Sequence, residues 1–200
     1  MRLIVSAIPS ETHALSERAE ELKNTIVTTV GIGYLEAALN LQNLLNDDRR
    51  ISSVLFVGTA GVYRPQAGRN IGDHVVCSEV TLCDAAAEIG LTRYAGNKRP
   101  PFISATDSIV PNLPACSVAT TLTITDSNKT AESIHEHSGC QLENMELFGL
   151  ALVCESAKIP WNALLGITNV VGENGHKQWL QNHISVENAS GRLLIDWLID

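Results

Sequence analysis

Short apolar runs rich in β-branched residues alternate along the chain with segments whose apolar positions recur every three to four residues. That arrangement predicts a sheet with helices packed on both faces. The strand-like runs are Arg2–Ala7, Thr25–Val30, Ser53–Val57, His74–Glu79, Ser117–Ile124 and Asn162–Thr168. Helical patterns cover Glu11–Lys23, Tyr34–Asn46, Lys129–His137, Met145–Lys158 and a C-terminal stretch from about Val186 to Ile199. Ser10 precedes the first helix, where its hydroxyl can accept from an orphan amide of the first turn. Between Cys83 and Pro114 neither period holds, and Gly90, Gly96, Pro100, Pro101, Pro111 and Pro114 predict a long surface loop, a type of segment that often serves as a lid. There is no internal repeat and no low-complexity tract.

Composition narrows the class. A chain of 200 residues suits one domain with a single large core. With 44% hydrophobic and 18% charged residues it has the profile of a folded protein and not of a disordered one. A net charge of −8 argues against contact with a nucleic-acid backbone, which needs clustered Lys and Arg. The apolar start Met1–Ile8 ends at Pro9 and Ser10 without a cleavage site, and no apolar run approaches the roughly 20 residues that span a bilayer. A cytoplasmic protein with no membrane partner is expected. Cys77, Cys83, Cys116, Cys140 and Cys154 are odd in number, form no C-x-x-C pair and sit mostly among apolar neighbours, the pattern of buried thiols in a reducing compartment.

In open α/β sheets ligands bind beyond the carboxyl ends of the strands, which singles out four segments. Glu11 follows the first strand and opens a helix, where it either complements the helix dipole or faces a ligand. Gly58-Thr59-Ala60-Gly61 follows the third strand, and its small residues make a turn or admit a ligand close to the backbone. Glu143-Asn144-Met145-Glu146 opens a helix that is apolar almost all round and so predicted to be buried. An acid at its mouth needs partners, and Glu146 can accept from both hydroxyls of a ribose diol or simply from water and amides. Thr168-Asn169-Val170-Val171-Gly172, with Trp179 further on, ends the last strand; a side-chain amide there can read the edge of a heterocycle or cap a turn.

Other chemistries fit less well. Gly31-Ile32-Gly33 lacks the third glycine of the dinucleotide fingerprint, and there is no phosphate-loop or G-x-S-x-G motif. His135 and His137, two apart on a helix, point in different directions; they suit a solvated face and make a poor metal clamp. Neither a metal nor a cofactor is expected.

Taken in chain order, these segments resemble the nucleoside phosphorylase and nucleosidase superfamily, in particular its methylthioadenosine/adenosylhomocysteine nucleosidase and futalosine hydrolase branch. The resemblance spans most of the chain. It rests on Ala7 to Glu11, Gly31-Ile32-Gly33, Gly58-Thr59-Ala60-Gly61, Ile71-Gly72-Asp73, Asn144-Met145-Glu146 and Ile167-Thr168-Asn169. It implies a single-domain three-layer α/β/α fold around a central twisted mixed β-sheet, and a homodimer with the site near the interface. It also implies that Glu11 activates the attacking water, that Met145 and Glu146 contact ribose with Asn144 beside them, and that Thr59, Ala60 and Gly61 line the site. Ile124 matches a position whose backbone meets the base. The preceding residue is usually aromatic and is Thr123 here, which leaves the stacking partner open; a partner chain could supply the missing ring.

The chief departure is Asn169, which stands where the methylthioadenosine enzymes carry an Asp that protonates N7 of the leaving adenine. An amide cannot lend that proton, but its NH₂ can donate to N7 and O6 of a 6-oxopurine. The expected substrate is therefore a small purine nucleoside, with futalosine as the leading candidate and hypoxanthine as its leaving base. Adenine release from methylthioadenosine, adenosylhomocysteine or the 6-amino form of futalosine is the alternative, and a non-catalytic nucleoside-binding protein is a third. Water is expected as nucleophile because no paired Arg residues mark an oxyanion site, although Arg64 and Arg69 lie near Gly61 in sequence.

Overall fold

The computed structural model describes residues 1–66, 68–96, 100–105 and 110–199. The strands are β1 (Arg2–Ser6), β2 (Thr25–Thr29), β3 (Ser53–Val62), β4 (His74–Leu82), β5 (Phe102–Ile103), β6 (Ala115–Thr120), β7 (Leu142–Asn144) and β8 (Trp161–Val170). The helices are α1 (His13–Glu17), α2 (Tyr34–Asp47), α3 (Ala85–Glu88), α4 (Asn128–Ser138), α5 (Leu147–Ala157) and α6 (Gly175–Ile199).

Alternation along the strands divides the core in two. Leu3, Val5, Val54, Phe56, Ala163 and Leu165 point to one face, where they pack with Ala37, Leu41 and Leu45 of α2 and with Leu147, Leu150 and Ala151 of α5. Ile4, Leu55, Val57 and Leu164 point to the other, against Leu15 of α1 and Leu194 and Ile195 of α6. The period of two thus yields the three layers, helix on sheet on helix. Each fully buried Leu or Val contributes about 1.5–3 kcal/mol relative to exposure. α5 meets α2 at Gly149, where a Cβ would stand 2.0 Å from the Tyr34 carbonyl oxygen, so only glycine permits this approach.

The sheet is mixed. β1 lies parallel to β2 and to β3. β8 runs parallel to β3 and antiparallel to β4, β4 is parallel to β6, β6 to β7, and β7 returns antiparallel to the end of β3. β3, β8, β4, β6 and β7 therefore close a ring. β1 and β2 extend from it as an open wing, and β5 pairs with β4 beyond the reach of β8.

Several expectations change. The helix expected over Glu11–Lys23 is broken into a 3₁₀ turn at Pro9–Thr12, then α1, then a second 3₁₀ turn at Ala19–Glu21. The reason is local: the Glu11 carboxylate folds back to accept from the Ala7 and Ile8 amides, and Ser10 caps nothing. β3 and β8 run further than expected and carry the Thr59–Gly61 and Thr168-Asn169 segments within them. β6 ends at Thr120, because the Thr121 hydroxyl donates to the Thr123 carbonyl at 2.9 Å and turns the chain before Ile124. β7 is too short to show a period, and α5 starts at Leu147. α6 begins at Gly175, eleven residues before the expected start, its first half being mostly polar. The Cys83–Pro114 stretch contains α3, capped by the Asp84 carboxylate, and β5, so the loop expectation fails there; part of the stretch lies outside the described residues. All five cysteines are buried. His137 is exposed as expected, whereas His135 is half-buried: its Nδ1 lies 2.6 Å from the Cys140 carbonyl oxygen and its ring stacks on Tyr63.

Candidate active site

A cavity of about 280 Å³ opens where the ends of β1, β3, β7 and β8 meet the start of α5, with the first turns of α6 across it. Every residue singled out in the sequence lines it: Glu11, Thr59, Ala60, Gly61, Ile124, Asn144, Met145, Glu146 and Asn169.

Glu11 sits in the 3₁₀ turn just past β1 and is 6% exposed. Its Oε2 accepts from the Ala7 and Ile8 amides at 2.9 and 3.3 Å, and its Oε1 from the Thr59 amide of β3 at 3.1 Å. Burial pushes its pKa up to about 8; the Ile8 and Ala7 amides oppose the shift, while the charges of Glu146 and Glu187 reinforce it. A carboxyl with this proton affinity can take a proton from water, the property a general base requires.

Glu146 stands at the N-cap of α5, buried at 5% exposure. Its Oε1 accepts from the Gly33 amide at 2.8 Å and its Oε2 from the Asn144 side-chain amide at 3.0 Å. Each oxygen keeps a lone pair for a ligand hydroxyl. Burial raises its pKa against these hydrogen bonds. Asn144 spends its whole capacity inside the protein: Oδ1 accepts from the Glu146 and Leu147 amides, and Nδ2 donates to the Thr59 carbonyl as well as to Glu146. It caps α5 and fixes the Glu146 carboxylate.

Asn169 lies opposite, on β8. The Thr168 hydroxyl donates to its Oδ1 at 2.9 Å, and its NH₂ group donates to the Val170 carbonyl at 3.4 Å, which leaves one N–H for a ligand. The amide nitrogen rests over Gly61, where any Cβ would come within 2.8 Å of it. Gly61 thus makes room for both Asn169 and Val171, whose Cγ2 would lie 2.7 Å from such a Cβ. The turn bearing Ile124 is anchored next door: the Thr125 amide and hydroxyl donate to Glu143, which also accepts from the Tyr63 hydroxyl at 2.8 Å. Burial raises the Glu143 pKa against these donors.

Glu143, read from the sequence as part of a helix start, lies instead on β7 and lines the cavity. His176 was not singled out, and with Trp179 it lines the cavity. Trp179 is stacked between His176 and His183, with its Nε1–H donating to the Thr59 hydroxyl at 3.3 Å. The spacing 176, 179, 183 was a visible signal, since it places all three rings on one helical face. Arg64 does not face the cavity; it pairs with Glu132 and Glu136. No Lys or Arg is among the described residues that line the cavity, and no group of His, Cys, Asp and Glu among the described residues is arranged to hold a metal.

A family model described as the phosphorylase superfamily matches residues 7–197. No curated protein matches the chain. Among solved structures, the methylthioadenosine/adenosylhomocysteine nucleosidase of Colwellia psychrerythraea in complex with adenine is similar at 19% identity and a TM-score of 0.78, covering 98% of this chain and 93% of that one. A futalosine hydrolase mutant of Helicobacter pylori is similar at 17% identity and a TM-score of 0.80, covering 96% of each chain. The Helicobacter pylori methylthioadenosine/adenosylhomocysteine nucleosidase with butyl-thio-DADMe-Immucillin-A is similar at 16% identity and 0.81, covering 98% and 96%.

Proposed function

Since the chain belongs to the phosphorylase superfamily, we propose that it hydrolyses the N-glycosidic bond of a small purine nucleoside, with futalosine as substrate and hypoxanthine as leaving base, a step of the alternative menaquinone pathway. The observation that carries this reading is the convergence of Glu11, Glu146 and Asn169 on one cavity, with an amide where base release would otherwise use an acid.

In this reading the C1′–N9 bond loosens toward an oxocarbenium-like state. Glu146 accepts from the ribose hydroxyls with its spare lone pairs, and Met145 packs on the sugar. Glu11 takes a proton from water and directs it to C1′. The Asn169 NH₂ donates toward N7 and O6 as charge develops on the departing base, and Ile124 meets the base through its backbone. Water is favoured over phosphate because the described lining carries no cation to bind an oxyanion.

The reading includes a homodimer. Ile32 and Ile124 at the cavity mouth are 58% and 56% exposed, and Leu35, Leu39 and Leu122 beside them are more exposed still. An apolar rim of this kind suits burial against a second copy, which could bring the ring that Thr123 does not supply. No helix among the described residues is long and apolar enough to cross a membrane.

Chromatography of free base released from futalosine, its 6-amino analogue and methylthioadenosine, each with and without phosphate, tests the proposal. Phosphate-independent hypoxanthine from futalosine is the expected outcome. Adenine release alone would move base choice away from Asn169, and a ribose 1-phosphate product would overturn hydrolysis.

A further inference from the structure

Below the cavity, α6 carries another buried acid. Glu187 is 5% exposed, and its Oε1 lies 3.1 Å from Nδ1 of His183, one helical turn earlier. The His183 ring lies flat on Trp179, with centroids 4.1 Å apart and planes 7° from parallel. Trp179 donates to the Thr59 hydroxyl, and the Thr59 amide donates to Glu11 Oε1. An unbroken line of contacts thus runs from Glu187 to Glu11. The Glu187 charge also reaches Glu11 directly through the interior, where little water screens it.

Burying another carboxylate close to Glu11 is costly unless it is used, because like charges resist confinement in a dry interior. Its consequence is chemical: a negative neighbour makes Glu11 hold a proton more tightly, which makes it a stronger base. The titratable groups around this cluster, among the described residues, are Glu146 at the start of α5, Glu187 and His183 on α6, His176 by the cavity, and His74 of β4. His74 Nε2 meets Ser190 Oγ at 3.0 Å and the Val186 carbonyl at 3.3 Å.

We propose that Glu187 and His183 are positioning residues for the hydrolysis: the pair clamps Trp179 against Thr59 and, along this line and by its charge, governs when Glu11 is ready to activate water. The inference rests on Glu11 being the base of the proposed function. His183 holds the indole by stacking, Glu187 orients the imidazole through Nδ1–H, and the indole N–H in turn fixes the Thr59 side chain next to the amide that grips Glu11.

The test is the pH dependence of kcat/KM for base release by the full-length protein. Glu187→Gln removes the charge at constant shape, and the acid limb moves to lower pH by roughly half a unit or more. Glu187→Asp draws the charge back by one methylene; a smaller downward movement is expected, and this variant serves the same purpose if the amide variant does not fold. His183→Ala lowers kcat about tenfold, and His183→Phe, which keeps a flat ring on Trp179, restores most of it. Acid limbs that superimpose on the wild type in the folded Glu187 variants overturn the charge role. A His183→Phe protein as impaired as His183→Ala overturns the clamp. A wild type that releases no base from any nucleoside overturns the proposed function itself, whereas an active wild type with unmoved variants overturns only this inference.

Discussion

Glu11 and Glu146 meet the cavity buried, each oxygen held by an N–H donor; Ile124 meets it 56% exposed, on a turn tied to the body through Thr125 and Glu143. The donors at the acid end come from far along the chain: Thr59 is 48 residues from Glu11, and Gly33 is 113 from Glu146. The end assigned to bond cleavage is thus fully built within one chain, while the end assigned to the flat base is left open at an apolar rim. The contrast follows from what each end has to do. A reacting carboxylate must be held within a fraction of an ångström, whereas a base needs a surface, and a second copy can provide one.

Glu11→Gln gives the sharpest test of the acid end. Its kcat should fall by about 10²–10⁴-fold with KM little changed, as measured by steady-state base release. Residual activity within tenfold of wild type would remove Glu11 as base. Glu146→Gln keeps the shape but weakens a charge-assisted hydrogen bond to the sugar, so kcat/KM should fall about 10- to 100-fold. An equal loss on a substrate lacking the ribose hydroxyls would place its role elsewhere.

At the base end, Asn169→Asp should shift the ratio of adenine to hypoxanthine release by about tenfold toward adenine. An unchanged ratio would mean that the amide does not read the base. If the proposed dimer forms through this rim, Leu35→Asp should leave the protein monomeric in sedimentation and weaken turnover several-fold at low protein concentration. A variant that stays dimeric would place the interface on another face.

The smallest effect concerns stability, and it opposes the first. The Glu11 pKa is about 8 in the fold against an ordinary 4.5, so between these values the native state keeps a proton that the unfolded chain releases. Stability is therefore lost as pH rises through that window. Glu11→Gln, which has no charge to bury, should melt a few degrees above wild type at pH 8 or higher. The difference should vanish below pH 4.5, and differential scanning calorimetry across the range would show a flat offset if the burial argument failed.

The hydrophobic period located the main strands and helices because Leu3 to Val5, Val54 to Val57 and Ala163 to Leu165 are buried on alternate sides, a pattern that local sequence carries by itself. It missed β7, where three residues cannot display a period, and the first half of α6, whose polar residues conceal the face that lines the cavity. The cavity lining was legible as residue types at strand ends, which is how Glu11, Glu146 and Asn169 were found. Their partners were not legible. That Asn144 would direct every hydrogen bond inward, or that Gly33 would grip Glu146, depends on pairings between distant segments that no local pattern records. The broken first helix belongs to the same class, since Glu11 gave up helical geometry to bind back on Ala7 and Ile8.

The closed ring of strands also orders events in time. β8 lies between β3 and β4, yet among the described strands it is the last to be made, about a hundred residues after β3. A chain emerging from the ribosome would carry Val54, Phe56 and Val75 on unpaired strand edges until Trp161–Val170 arrives to fill the gap. Completion of the sheet is then a single late insertion, and the seat of Asn169 and the closure of the ring should appear in that one step.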